Sequence, residues 1–243
     1  MKHIPILMYH QIDRKPVKGT PMRGLVVSPF TFFTHMLALW LCGYRGLSMS
    51  QLEPYLQGHR QGRVFGITFD DGYANNLHNA LPILQRFGFS STCYVVVDRI
   101  GQTNVWDQHH GIPQVPLMNL PQLQDWMLGG QEVGSHGMTH ANLTQLNDKQ
   151  KAHEIMKSRV VLQDLLQQEQ GVLHFCYPYG AYDAACQQHA MNAGYTSATT
   201  TRRARVNLAA AVDFMQLPRV LVSRTTTWLH LWLKIFTGYE DRS

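Results

Sequence analysis

Seven short apolar runs recur along the chain, and segments with helical periodicity separate them. The runs are HIPILMYH (3–10), RVFGITFD (63–70), STCYVVV (91–97), QEVGS (131–135), VLHFCYP (172–178), YTSATT (195–200) and RVLVS (219–223). Helices are predicted over 28–43, 73–88, 147–171 and 183–194, and each of these segments ends on a glycine. Strands that alternate with helices favour parallel pairing with the helices outside, so the pattern predicts an α/β fold, either a barrel or an open sheet.

The length of 243 residues fits a single α/β domain, so we expect residues 1–243 to form one domain. The formal net charge is +5, but Arg202, Arg203 and Arg205 form the only tight basic cluster. Nucleic-acid binding is therefore not expected, because clustered charge is its usual footprint. The four cysteines show no CxxC spacing and are expected to be free thiols.

No run of about twenty apolar residues occurs, so we expect no membrane span. The N-terminal stretch is basic and then apolar, but it meets His10 and Asp13 too early for an export signal. A cytoplasmic location is the default expectation for the chain as printed.

Two adjacent acids, Asp70 and Asp71, follow a predicted strand in the segment GITFDDGYANN. An ordinary turn with an Asx hydrogen bond would explain an Asp-Gly pair. In parallel α/β architectures, however, the chemistry gathers at the carboxyl ends of the strands. Gly72 frees the backbone from strand geometry, so that the two carboxylates can serve different purposes in one pocket.

A second polar segment, EVGSHGMTH, follows another predicted strand and carries His136 and His140 four residues apart. One turn of helix-like backbone brings both imidazoles to the same side, where they can share a metal ion at about 2.0–2.1 Å. Gly137 stands where the zinc-protease motif has its glutamate base, so a base must come from elsewhere. One of Asp70 and Asp71 would complete a two-His, one-Asp ligand set, and the other would take a proton from water.

TFDDG together with SHGMTH resembles the polysaccharide deacetylases of carbohydrate esterase family four, over roughly residues 4–222. The resemblance implies a distorted (β/α) barrel of about seven strands and one divalent metal ion, most often Zn²⁺. It also implies hydrolysis of N-acetyl groups from poly- or oligosaccharides that contain N-acetylglucosamine. By this match Asp70 is the general base, and Asp71, His136 and His140 are the metal ligands.

The third motif of this family reads Arg-x-Pro-Tyr, and the corresponding segment here is FCYPYGAYD. The resemblance implies that Pro178 and Tyr179 line the acetyl pocket and that the main-chain N–H of Tyr179 helps to hold the oxyanion. Cys176 replaces the arginine and is expected to be inert packing. Arg219 is a candidate to orient Asp70 in place of that arginine, and it is counted with the substrate-binding residues; the alternative is a surface arginine.

The family's last motif places a histidine after Leu-x near the C-terminus, where it protonates the leaving amine. Here Leu229 and His230 belong to an amphipathic helix, so His230 is a weak candidate. The apolar stripe of this helix predicts a core or partner contact and comprises Leu229, Trp232, Leu233 and Phe236. His10, in MYH at the end of the first strand, is the better general acid, as in the similar, apparently permuted poly-N-acetylglucosamine deacetylases. The alternative for His10 is a buried structural histidine.

Further residues could line a sugar groove or simply be solvated or packed: Tyr73, Trp106, His109 and His110. Two other functions remain open at this point. One is deacylation of a small amide or an O-acetyl ester at the same metal site, and the other is sugar binding without catalysis.

Overall fold

A closed ring of parallel strands forms the centre of the molecule. The computed structural model describes residues 2–167 and 171–241. In ring order the seven strands are β1 (Ile6–Tyr9), β8 (Leu217–Leu221), β7 (Ser197–Arg203), β6 (His174–Cys176), β5 (Glu132–Ser135), β4 (Thr92–Val95) and β3 (Val64–Phe69). The prediction of a distorted (β/α) barrel with about seven strands is confirmed.

The ring closes because β1 pairs on one side with β3 and on the other side with β8. Tyr9 is the register partner of Phe69, and Leu7 is the partner of Val220. A short strand that the sequence pattern did not predict, β2 (Arg45–Leu47), adds to the first half of β3 outside the ring. Two pairs of two-residue strands flank the barrel: His3–Ile4 with Val206–Asn207, and Gln11–Ile12 with Val26–Val27.

Nine α-helices occur in the described part of the chain. They are α1 (Pro29–Leu41), α2 (Met49–Leu56), α3 (Ala74–Asn79), α4 (Leu81–Phe87), α5 (Leu120–Leu128), α6 (Asp148–Ala152), α7 (Ser158–Leu166), α8 (Ala184–Ala193) and α9 (Trp228–Phe236). The helix predicted over 147–171 is α6 and α7 joined by a π-helical turn (His153–Lys157), and residues 168–170 lie outside the described part. The helix predicted over 73–88 is divided at Ala80, because Pro82 has no N–H to continue the ladder.

Side chains along each strand alternate between two apolar clusters, as the period of two requires. Leu7 and Phe175 pack in the larger cluster with the outer helices, whereas Ile6 and Cys176 belong to a smaller inner cluster. Helix α2 contributes its apolar face to the inner cluster and therefore closes the amino-terminal end of the barrel. The carboxyl ends of the strands stay accessible, which leaves that end for a site.

Helix α9 differs from its prediction. Its buried residues are Leu231, Lys234 and Ile235, while Leu229 and Trp232 of the predicted stripe are exposed. A core contact is therefore wrong for these residues, and the alternative, a partner contact, stays a prediction. Within residues 2–167 and 171–241, none of the helices is both long and apolar enough to cross a bilayer.

Candidate metal centre and active site

A cavity of about 570 Å³ opens at the carboxyl ends of the barrel strands. The predicted site residues on its wall are His10, Asp70, Asp71, His136, His140 and Tyr179. They come from loops after β1, β3, β5 and β6, which are distant in sequence but share one end of the ring. Pro178 is buried and Arg219 is fully buried, and neither belongs to the cavity wall.

The two acids after β3 diverge because the backbone changes conformation between them. The N–H of Asp70 still donates to the carbonyl of Tyr9 at 3.0 Å, as a continuing strand would. Asp71 has φ 74° and Gly72 has φ 83°, so the strand geometry ends at Asp71. The two carboxylates consequently have different neighbours.

The carboxylate of Asp71 faces the two predicted histidine ligands. Its Oδ1 lies 3.5 Å from Nε2 of His136 and 3.3 Å from Nε2 of His140. All three side chains are buried, and their ligand atoms lie within 4.8 Å of one another. Ligands about 2.0–2.1 Å from a tetrahedral ion are separated by roughly 3.4 Å, so this donor set fits a divalent metal such as zinc.

Contacts behind the ligands orient them toward that common point. Nδ1 of His136 lies 2.7 Å from the carbonyl oxygen of Cys176. A carbonyl oxygen only accepts hydrogen bonds, so Nδ1 carries the proton, and in the neutral ring Nε2 keeps its lone pair. The ring of His140 stacks on Trp106 at 4.5 Å. Tyr73 is buried beside Asp71, and burial together with the charge of that carboxylate raises the pKa of the Tyr73 hydroxyl. Tyr73 and Trp106, which the sequence offered either as sugar contacts or as packing residues, thus lie against metal-ligand candidates; nothing in their local sequence signals this.

Electrostatics keep Asp71 ionised. Burial raises the pKa of its carboxyl, but the hydrogen bond and charge of His140 outweigh burial, and the pKa lies below its usual range. A carboxylate that is charged and adjacent to two imidazole nitrogens is a suitable ligand for a cation.

Asp70 makes a two-pronged ion pair with Arg219 in the barrel interior. Nη1 and Nη2 of Arg219 lie 2.6 Å and 2.8 Å from the two oxygens of Asp70. The guanidinium also donates to the carbonyl of Thr200 and to the hydroxyl of Thr68. Burial raises the pKa of Asp70, but the charge and hydrogen bonds of Arg219 prevail and hold that pKa below its usual range.

Arg219 also contacts Cys176, the residue at the position of the motif arginine. Its Nη2 lies 3.2 Å from Sγ of Cys176. Burial raises the pKa of the Cys176 thiol well above its usual range, so the sulfur is a neutral packing group. This placement puts Arg219 behind Asp70, away from the cavity surface.

His10 lies on the cavity side of Asp70. Its Nε2 is 3.9 Å from Oδ2 of Asp70, beyond hydrogen-bonding distance. Burial lowers the pKa of His10, although the carboxylates of Asp70 and Asp71 oppose that shift.

Tyr179 reaches the cavity on a short 3₁₀ turn, Pro178–Gly180, after β6. Its ring lies 4.5 Å from that of His140, and its hydroxyl donates to Oδ1 of Asp107 at 3.1 Å. The turn is tightly constrained, since a Cβ on Gly180 would lie 2.0 Å from Oγ1 of Thr201. Asp107 is a site residue that sequence reasoning missed, and its irregular segment offers no periodic signal.

Three residues of the site share an unusual backbone conformation. Asp71, His140 and Tyr179 have φ values of 74°, 67° and 58°, in the left-handed region that non-glycine residues seldom adopt. Such conformations concentrate at active sites. They are the local reason that each side chain turns into the cavity.

The remaining histidine candidates lie elsewhere. His230 is on α9, where its ring contacts Tyr239, and it does not line the cavity. His109 and His110 are exposed, with their rings 4.0 Å apart, and are not on the cavity wall either.

Comparisons with known proteins identify the family of the chain. The sequence model of the family described as "Polysaccharide deacetylase" matches residues 57–198. A curated relative, named "Putative polysaccharide deacetylase YxkH" from Bacillus subtilis (strain 168), is 28% identical over 200 residues. That match covers 82% of this chain, and the chain spans 64% of the length of that relative.

Several solved structures share the fold. The deacetylase PplD of Streptococcus pyogenes, solved in complex with acetate, superposes with a TM-score of 0.82 at 23% identity, covering 96% of this chain and 98% of that one. The polysaccharide deacetylase BC0361 of Bacillus cereus gives a TM-score of 0.79 at 25% identity, covering 96% and 68%. IcaB from Ammonifex degensii gives 0.78 at 22% identity, covering 95% and 96%. Because the family match extends over more than half of the sequence, this chain belongs to the polysaccharide deacetylase family.

Proposed function

We propose that residues 1–243 form one catalytic domain that removes N-acetyl groups from poly- or oligosaccharides containing N-acetylglucosamine. The observation that carries the proposal is the division of labour between two adjacent acids in one cavity. Asp71 faces two imidazole nitrogens, and Asp70 faces Arg219 and His10. A binding module would need only the cavity, whereas this arrangement supplies a ligand set and a separate acid–base pair.

Asp71, His136 and His140 would hold one divalent cation, for which Zn²⁺ is the first candidate because of the N₂O donor set. When bound, such an ion lowers the pKa of water and polarises a carbonyl oxygen. The protein's own contribution is to keep the three donors preoriented, through the contact of His136 with Cys176 and of His140 with Trp106.

In this proposal Asp70 accepts the proton of the attacking water. Arg219 keeps its carboxylate ionised and fixes its plane, so the base needs no rearrangement before the reaction. His10 stands on the other side of Asp70 and donates a proton to the departing nitrogen. The main-chain N–H of Tyr179, on its constrained turn, stabilises the oxyanion, a contribution worth about 2.7–4 kcal/mol in other hydrolases.

The direct test is acetate release from N-acetylglucosamine oligomers. Activity should disappear after chelation and return with Zn²⁺. Asp70→Asn should abolish release while metal analysis still finds about one ion per chain, whereas Asp71→Asn should lose both activity and metal.

Parallel assays with acetylated xylan and with small acyl amides separate the alternative substrates. Faster release from either than from the oligomers would overturn the substrate class. Retained glycan binding with metal content near zero and no acetate release would overturn the enzymatic proposal altogether. Parent-rate release by the Asp70→Asn variant would refute the role of Asp70.

A further inference from the structure

Two neighbouring outer helices, α1 and α9, carry almost no charge. Helix α1 has no Asp, Glu, Lys or Arg in its thirteen residues, and α9 has a single charged residue of this kind, Lys234. The two helices pack side by side, and the ring of Tyr44, just after α1, contacts Phe236 at the end of α9 at 5.2 Å. Surface helices normally place their polar residues outward.

Helix α9 has the opposite arrangement, with its charged side chain buried and its tryptophans exposed. Lys234 is buried, with its Nζ donating to the carbonyl of Leu221 at 3.0 Å and paired with Glu240. Trp228 and Trp232, in contrast, are 55% and 42% exposed. The ammonium group of Lys234 thus has its partners in the protein interior, whereas the indole rings of Trp228 and Trp232 are exposed to solvent.

These side chains define what we call the outer face. It comprises Trp228, Leu229, Trp232 and Leu233 of α9, all of them exposed. An aromatic side chain presents roughly 150–250 Å², so four partly exposed large side chains amount to an area on the order of 400 Å². An apolar patch of that size on a monomer is often functional.

The segments that contain α1 and α9 carry basic side chains and no acidic ones. The segments 14–52 and 214–239, which contain the two helices, have no Asp or Glu. Their basic residues outside the barrel interior and α9 are Arg14, Lys15, Lys18, Arg23, Arg45 and Arg224. The two carboxylates that follow α9, Glu240 and Asp241, are ion-paired with Lys234 and Arg205.

Cations border the outer face at both ends. The N–H of Arg224 donates to the carbonyl of Gly24 at 2.8 Å, which brings Arg23 close to the start of α9. Arg45, which is exposed, follows the end of α1. Helices that bind at the surface of an anionic bilayer have this composition: apolar and aromatic side chains bordered by basic ones.

We propose that the outer face docks this protein on an anionic lipid surface, with Trp228 and Trp232 in the headgroup region and the bordering cations on phosphate groups. A second copy of the chain fits less well, because a symmetric contact would bring the same basic borders together. The loop that contains Arg14 and Arg23 also lines the catalytic cavity. Docking therefore holds the cavity mouth beside the lipid surface.

Co-sedimentation of the intact protein with vesicles tests this proposal. Vesicles of phosphatidylglycerol and phosphatidylcholine should bind the protein, pure phosphatidylcholine should bind it at least tenfold more weakly, and added salt should weaken the binding. The double variant Trp228→Ser/Trp232→Ser should lose at least tenfold in binding to the anionic vesicles. Leu128→Ser is the matched control, because Leu128 is 86% exposed on α5, outside the outer face.

Equal vesicle binding by the parent and the double variant, or no binding by the parent, would overturn the proposal. A dimer in sedimentation velocity that the double variant abolishes, without vesicle binding, would assign the outer face to a second copy and also overturn it. Acetate release from soluble oligomers should be the same in the double variant and the parent. Lipid docking and the proposed deacetylation can therefore fail independently.

Discussion

The ion pair between Arg219 and Asp70 permits a quantitative test of how this site is built. We consider Arg219→Met, which keeps most of the side-chain volume and removes the charge. In the parent the guanidinium is fully buried and donates to both oxygens of Asp70, as well as to Thr68 and Thr200. The substitution leaves the carboxylate of Asp70, which is 3% exposed, without its partner.

Removal of one partner from a buried ion pair costs about 3–5 kcal/mol, because the remaining charge stays desolvated. That loss is a large share of the stability of an ordinary domain, and in urea it should lower the unfolding midpoint by at least about 1 M. Addition of Asp70→Asn to Arg219→Met removes the stranded charge. The double variant should therefore be more stable than Arg219→Met alone, by about 1–3 kcal/mol.

The assay is urea unfolding of chelated protein at neutral pH, so that metal binding does not contribute to the measured stability. Acetate release should fall about 100-fold in Arg219→Met, since the base loses its fixed position. Arg219→Lys keeps the positive charge but cannot donate to both oxygens of Asp70 in the same way. Its stability in urea and its rate of acetate release should therefore lie between those of the parent and of Arg219→Met. An Arg219→Met variant as stable as the parent, or a double variant less stable than Arg219→Met, would refute this account of the pair.

Three further changes test other parts of the structure. Tyr73→Phe removes the hydroxyl beside Asp71 and should weaken Zn²⁺ binding about tenfold, measured by competition with a chromogenic chelator; unchanged affinity would contradict a supporting role for that hydroxyl. Burial lowers the pKa of His35 to about 4, whereas the same side chain in the unfolded protein has a pKa near 6.5. As the pH falls from 7 to 4, the unfolded chain therefore binds a proton that the folded protein does not, and the free energy of unfolding should fall by about 3 kcal/mol. His35→Gln should lose that part of the pH dependence, and an unaltered slope would contradict the assignment. Gly180→Ala should destabilise the protein by about 1–3 kcal/mol in thermal unfolding, because its Cβ would overlap a hydroxyl at 2.0 Å; Gly88→Ala, with φ 63° and open space, is the control and should cost less.

The alternation of strands and helices and the metal-ligand candidates follow from local patterns in the sequence, whereas the choice of a barrel over an open sheet came from the family resemblance. Each of the seven ring strands overlaps one of the strand-like runs. Most of these runs are apolar because the strands are buried on both faces, whereas QEVGS and YTSATT are largely polar. Asp70, Asp71, His136 and His140 were recognisable because polar residues at strand ends converge when strands are parallel. The family match agrees with the family that these motifs resemble.

What the sequence did not predict depends on contacts between distant segments. Strand β2, RGL, is too short for a periodic signal, and its pairing with β3 determines it. Trp106 and Asp107 reach the site on a segment without a periodic sequence pattern. Its position is fixed by the hydrogen bond from the N–H of Val115 to Asn104 and by the bridge between Thr103 and Pro116. The sequence of α9 is apolar on most sides and left a core and a partner contact open, and the buried position of Lys234, which is paired with Glu240, has no local signal.

The left-handed backbone at Asp71, His140 and Tyr179 has a consequence for protein engineering. A non-glycine residue in this region is disfavoured by about 1–2 kcal/mol, so the three positions together forgo on the order of 3 kcal/mol of stability. Natural enzymes commonly retain such a conflict where activity requires it. A selection for heat resistance without a screen for turnover should accumulate glycine at these positions, and its most robust products should be inactive.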